Sequence, residues 1–174
     1  MKELLNSLPQ VGAVVWLGIR PDRRVAVGEV ETVQLDREQG VVGDHFRSAP
    51  GAKRQVTLFQ YEHLAAVGDL LHVDAVCPSA LRRNIVVRGI NLLALKQQEF
   101  RIGDALLYGT GPCPPCSRME ENLGPGGYNA MRGHGGITAR VVQSGWVKLG
   151  DAVLLHPQKA DSQVALRPEV NDES

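Results

Sequence analysis

Short β-branched runs, each closed within a few residues by glycine, proline or a Gly-Asp pair, recur along this chain and restrict its fold more than any other feature. Residues 12–20 form such a run and stop at Pro21-Asp22, while residues 25–35 alternate apolar with polar; both read as strands, joined by a turn. Residues 54–59 make a further strand, and Ile85-Val-Val87, closed by Gly89, another. Ile102-Gly-Asp-Ala-Leu-Leu107 and Leu149-Gly-Asp-Ala-Val-Leu154 share one pattern, a Gly-Asp turn leading into a strand, as expected where barrel strands start from similar corners. Residues 137–142 alternate as a half-buried strand, and with the turn signal Ser144-Gly145 the stretch 137–155 reads as a hairpin. Helical spacing is clear at one place, where Tyr61, Leu64, Ala65, Gly68 and Leu71 fall on one face. Many short strands, one helix and frequent glycine turns predict a mainly β fold, a closed β-barrel with a few short helices, in preference to a βαβ sheet.

Composition narrows the functional classes. Lys plus Arg and Asp plus Glu both number 19 in 174 residues, so there is no basic excess to mark a nucleic-acid binder. No stretch of 18 apolar residues suggests a membrane span, and residues 1–10 lack the apolar core and cleavage site of a secretory signal. Three unevenly spaced cysteines do not make a disulfide scaffold, and a cytoplasmic, reduced protein is expected. One domain is expected over residues 1–156, followed by a polar, aperiodic tail at 157–174 that reads as disordered.

The most unusual passage is Gly109-Thr-Gly-Pro-Cys113-Pro-Pro-Cys116-Ser-Arg-Met-Glu120. Pro112, Pro114 and Pro115 remove three backbone donors, which excludes a helix interior or central strand and leaves a rigid loop presenting two thiols. Good helix formers follow at 117–121, placing Cys116 at or beside a helix N-terminus, where the macrodipole and Arg118 favour thiolate over thiol. A thiolate is what metal ligation, persulfide formation and nucleophilic attack all require. The bland alternative is a pair of small buried hydrophobes. A thioredoxin-type dithiol lacks its βαβ context, and structural zinc lacks a second ligand pair. Cys77, before Pro78 in an apolar stretch, reads as structural.

Downstream, Gly133, Gly135 and Gly136 allow backbone N–H groups to approach an anion, with Arg132 and Arg140 supplying charge. The spacing matches neither a Walker loop nor a dinucleotide fingerprint, and a turn before a strand explains it equally well. Isolated His45 and His134 suit either proton donation or ordinary turn positions.

Taken in order, Val42-Gly-Asp-His45, Arg54-Gln-Val-Thr-Leu58, Arg83-Asn-Ile-Val86, Ile102-Gly-Asp104, Pro112-Cys-Pro-Pro-Cys-Ser117, Gly135-Gly136 and Val147-Lys-Leu-Gly-Asp151 resemble the MOSC family, named after the C-terminal domain of molybdenum-cofactor sulfurases. The resemblance runs from about residue 12 to about residue 155 and implies a β-rich barrel with one functional cysteine. That role carries over to Cys116, with Cys113 a helper or bystander. In molybdenum-dependent members the cysteine ligates molybdenum of the pterin cofactor; in sulfurase members it carries or delivers sulfur; some stand-alone bacterial members resemble reductases of N-hydroxylated bases. The resemblance thus implies molybdenum cofactor (molybdopterin) bound through Cys116, which serves as both catalytic residue and metal ligand. Arg54, Arg82, Arg83, Asn84, Arg132, Gly135, Gly136 and Arg140 are the expected cofactor-binding set, with a small-molecule substrate. Soft thiolate suits molybdenum, and guanidinium suits the pterin phosphate. Arg83 stands where many relatives carry an acid, so an acid/base role does not transfer there. The alternative is a sulfur carrier or interaction module, a persulfide on Cys116 passing to a partner, with sulfur arriving from a separate donor or redox partner protein. A third reading is a binding-only barrel with a vestigial cysteine.

Overall fold

The computed structural model describes residues 1–157, and the tail expected from residue 157 onward lies, but for Pro157, outside the described residues. A short helix, α1 (Lys2–Leu5), precedes β1 (Gly12–Ile19). Then come β2 (Gly28–Glu29), β3 (Thr32–Asp36), β4 (Gly40–Val41), β5 (Val56–Gln60) and the helix α2 (Glu62–Leu71). A 3₁₀ turn, Pro78–Leu81, leads to β6 (Ile85–Arg88), and β7 (Glu99–Ile102) and β8 (Ala105–Pro112) follow. Two short helices, α3 (Arg118–Leu123) and α4 (Gly127–Ala130), separate β8 from β9 (Ile137–Gln143), β10 (Gly145–Lys148) and β11 (Ala152–Leu155).

The strands bond in the order β11-β7-β8-β9-β5-β6-β1, and β1 returns to β11 through Gly12 opposite Val153, so these seven close a barrel. Closure removes the unpaired edges that would otherwise invite association. The Gly-Asp pair at 103–104 turns β7 into β8 as an antiparallel hairpin, as the sequence implied. Val14, Leu58, Ile85, Phe100, Ala139 and Val153 come from strands all round the ring and are each 4% exposed or less, so they fill the barrel interior. A second cluster lies outside the wall, where Trp16, Phe59 and Val86 meet Val67 of α2 and Met119 of α3. The parity of β1 switches at a register shift between Val14 and Trp16, which sends Trp16 to the outer cluster while Leu17 stays inside.

Two features go beyond the sequence reading or against it. First, β5 and β6 run parallel, with Leu58 opposite Ile85. A parallel pair needs a long crossover, and α2 with the 3₁₀ turn supplies it, so the barrel contains one βαβ unit. Second, 137–155 is not a hairpin. Both edges of β9 are taken, by β5 and β8, leaving no edge for β10. It pairs instead with β3, Trp146 opposite Gln34, in a separate three-stranded sheet. The run 25–35 also divides, β2 joining β1 and β3 joining β10.

Candidate functional site

Proline sets the local structure around the two thiols. β8 runs on through Gly109–Pro112 with an irregular register between Gly109 and Gly111, and Pro112 is its last residue, where a missing donor does least harm. Cys113 then donates its N–H to the Gly136 carbonyl at 2.8 Å and is 1% exposed. Three residues on, Cys116 is exposed. Its carbonyl accepts the Met119 N–H at 2.9 Å, and Met119, fully buried in the outer cluster, anchors α3 beneath the loop. Cys116 therefore sits immediately before Ser117, the N-cap of a six-residue helix.

The crossover brings Arg82–Asn84 to the same place. Arg82 closes the 3₁₀ turn in the left-handed region, φ 57°, ψ 39°, a conformation a β-carbon disfavours and which tends to be held where position matters. Its Nη1 donates toward the Cys116 Sγ at 3.8 Å. The expected cation beside this thiol was Arg118, but Arg118 pairs with Glu121 at 2.6 Å one helical turn on. Arg83, only 2% exposed, turns the other way: Nε donates to the Gly135 carbonyl at 2.9 Å, Nη1 to Leu81 at 2.9 Å and Nη2 to Cys113 at 3.4 Å. Burial pushes its pKa below the ordinary value, but three carbonyl dipoles receive the charge. Arg83 thus ties the crossover to the cysteine loop.

A polar floor lies below. Asn84 Oδ1 accepts from Thr57 Oγ1 at 2.9 Å and from the Thr57 N–H at 3.2 Å, while Asn84 Nδ2 donates to Asp44 Oδ2 at 3.1 Å. Asp44 also accepts the Arg20 and Phe46 N–H groups at 3.1 and 2.9 Å, and His45 Nδ1 lies 3.2 Å from Arg20 Nη2. Burial, and next repulsion from Arg82, lowers the Arg20 pKa from its ordinary value, partly offset by Asp44.

These groups bound a chamber of about 320 Å³ lined by Cys116, Arg82, Arg83, Asn84 and Arg54, with Arg20 and Asp44 opposite. It shares Arg20, Val27, Phe46 and Arg82 with a wider basin of about 760 Å³, so the two are parts of one cleft. Among the expected site residues, Cys116, Arg54, Arg82, Arg83 and Asn84 are brought together here. Arg132 is exposed and lines neither part. Arg140 projects from an exposed position of β9, its guanidinium carbon 4.8 Å from the Tyr108 ring centroid, beside a separate cavity with Lys53. Gly135 and Gly136 act through packing: a β-carbon on Gly135 would strike the Cys113 carbonyl, and one on Gly136, at φ 81°, the Leu58 carbonyl. His134 packs its ring against His63, centroids 4.8 Å apart, away from the cleft. Arg20 and Asp44 were not anticipated as site residues; Asp44 had a signal in the Val42–His45 motif, whereas Arg20 had only its place at a strand end.

Among the described residues no group of three His, Cys, Asp or Glu side chains is placed to hold a metal ion, and no helix is long and apolar enough to cross a membrane. A family model described as the MOSC domain matches residues 32–154. The chain belongs to the MOSC family. No curated protein sequence matches it. Among solved structures, the YUAD protein from Bacillus subtilis is similar at 19% identity and a TM-score of 0.73, covering 87% of this chain and all of that one. YiiM from Geobacillus stearothermophilus aligns at 18% identity and TM-score 0.68 over 84% of this chain and 75% of its own. YiiM from Escherichia coli aligns at 18% identity and TM-score 0.64 over 86% and 72%. At such identities these neighbours speak for the fold. The MOSC match starts at the first residue of β3, so Arg20 and β1, which closes the barrel against β6 and β11, lie outside it.

Proposed function

We propose that this MOSC protein binds the molybdenum cofactor, molybdopterin, in the chamber, with the Cys116 thiolate as molybdenum ligand, and reduces small N-hydroxylated compounds. The observation that carries the reading is an exposed thiol facing a chamber whose charged lining is dominated by arginine, Arg20, Arg54, Arg82 and Arg83, against the single carboxylate of Asp44. The donor set fits the group: a soft thiolate for the metal, and guanidinium groups of fixed fork geometry for a phosphate. Molybdenum, when bound, supplies the two-electron chemistry of such a reduction. Arg82 and Arg54 hold the phosphate, since most of the Arg83 fork is engaged by carbonyls. Asn84, fixed by Thr57 and Asp44, shapes the floor. His45, 3.5 Å from Asp44 Oδ1, is the side chain able to hold a proton at the mouth.

Protein purified from a cofactor-competent host is expected to carry molybdenum and pterin together, and Cys116→Ala to lose the metal while keeping its circular dichroism. Metal retained in folded Cys116→Ala would overturn the ligand assignment. A protein without pterin but with a one-sulfur mass adduct on Cys116 would replace this reading with the sulfur-carrier one.

A further inference from the structure

Arg20, Arg23, Arg24, Arg82 and Arg118 all line the outer basin, and no Asp or Glu lines it. Lys and Arg balance Asp and Glu over the whole chain, 19 against 19, so five guanidinium groups around one hollow reflect local placement and not overall charge. Glu121 takes up Arg118 at 2.6 Å and Asp44 partly offsets Arg20, which leaves Arg23, Arg24 and Arg82 as the like charges whose repulsion a bound anion relieves. Arg20 is the most enclosed of these groups. Its Nε is buried with no hydrogen-bond partner, although Nη2 reaches His45. Arg23 and Arg24 are adjacent and exposed, Arg24 being held at φ 64°, and Phe46 presents a ring that is 49% exposed at the boundary with the chamber.

We propose that the outer basin is a second anion site, built to take a ligand with neighbouring phosphoryl groups, of the pyrophosphate type. A basin of about 760 Å³ lined by five arginines offers more donors and more room than one phosphate fills, and linked phosphoryl groups match it better. Arg23, Arg24 and Arg118 line only the basin, while Arg20 and Arg82 line basin and chamber alike, so the basin is an outer subsite of the same cleft, and its filling needs no metal on Cys116. The phosphoryl groups could belong to a free substrate or to the outer end of a molecule seated in the chamber; their recognition is the same.

The test titrates the cofactor-free protein with inorganic pyrophosphate by calorimetry. Saturable binding that weakens with added salt is expected, with orthophosphate binding less tightly. The Arg23→Ala, Arg24→Ala double variant, at two exposed positions, should keep its melting temperature and bind pyrophosphate about tenfold less tightly or worse, roughly one charge-assisted hydrogen bond. Arg24→Glu should weaken it further, and Cys116→Ala should leave it unchanged. Absence of saturable binding, or affinity indifferent to Arg23 and Arg24, would overturn the proposal, as would loss on Cys116→Ala alone. Repeating the titration on cofactor-loaded protein separates the sources. Retained binding assigns the basin to a free phosphorylated substrate, and competition assigns it to the end of the chamber's own ligand; either outcome supports the site.

Discussion

Arg82 and Arg83 are neighbours in the chain, and Cys113 and Cys116 stand three residues apart, yet each pair is divided between the wall of the cleft and its mouth. On the wall side, Arg83 and Cys113 are 2% and 1% exposed and bonded to each other through the Cys113 carbonyl. On the mouth side, Arg82 and Cys116 face the cleft, 3.8 Å apart from nitrogen to sulfur. The same residue type performs opposite tasks: the wall arginine satisfies backbone carbonyls and stiffens the loop, while the mouth arginine sits in a disfavoured backbone conformation and keeps its donors toward the cleft. The difference teaches that rigidity of the exposed thiol is supplied by its buried counterpart.

The sharpest way to break this contrast is to exchange the arginines one at a time. Arg83→Met leaves three carbonyls without their donors and is expected to lower stability by about 3–5 kcal/mol in chemical denaturation. Arg82→Gly removes the strain at φ 57° and should raise stability by up to about 1 kcal/mol. Equal losses from both would erase the distinction between wall and mouth.

The thiols sharpen it further. Cys113→Ala should destabilise by about 1 kcal/mol through a small cavity, and Cys116→Ala should stay within about 0.5 kcal/mol. In the native protein a thiol reagent followed by mass spectrometry should modify Cys116 and spare Cys113 until denaturant is added. Fast native modification of Cys113 would show that the wall opens.

The smallest expected effect concerns the ring pair behind the wall. His134 leads directly into Gly135, whose carbonyl Arg83 holds. Burial, and next repulsion from His134, pushes the His63 pKa below its ordinary 6.5, with weaker opposition from the His134 backbone and Glu62. The folded chain thus binds this proton less readily than the unfolded chain, so the contribution is fully present above pH 6.5 and is lost as pH falls below it toward the folded value. His63→Gln should flatten that part of the melting temperature profile; an unchanged slope would mean that the pair does not couple to the fold.

Much of this was legible locally. The β-branched runs, the Gly-Asp corner before Ala105 and the helix at Glu62–Leu71 emerged because period-2 and period-3.6 patterns are properties of neighbouring residues. The buried face of that helix nevertheless centres on Val67 and Gly68 and leaves Tyr61 and Ala65 exposed. The proline-rich loop stood out with both its thiols, and Cys116 was chosen from the helix formers after it and from the family resemblance. Other features were hidden. Arg132 and Arg140 carry the right charge, but Arg140 occupies an outward position of β9, and nothing near it in sequence says which face the barrel interior takes. Arg20 enters the cleft only because β1 closes the ring and ends beside Asp44.

By itself the sequence determined a closed, mainly β architecture with short helices and a rigid proline loop bearing two thiols, because turn chemistry, side-chain alternation and missing backbone donors act within a few residues. Only the tertiary structure decided which strand edges pair, that β10 leaves β9 for β3, and which member of each neighbouring pair becomes wall or mouth. Those choices depend on contacts such as Arg83 to Gly135, separated by 52 residues, and on edges already occupied by other strands.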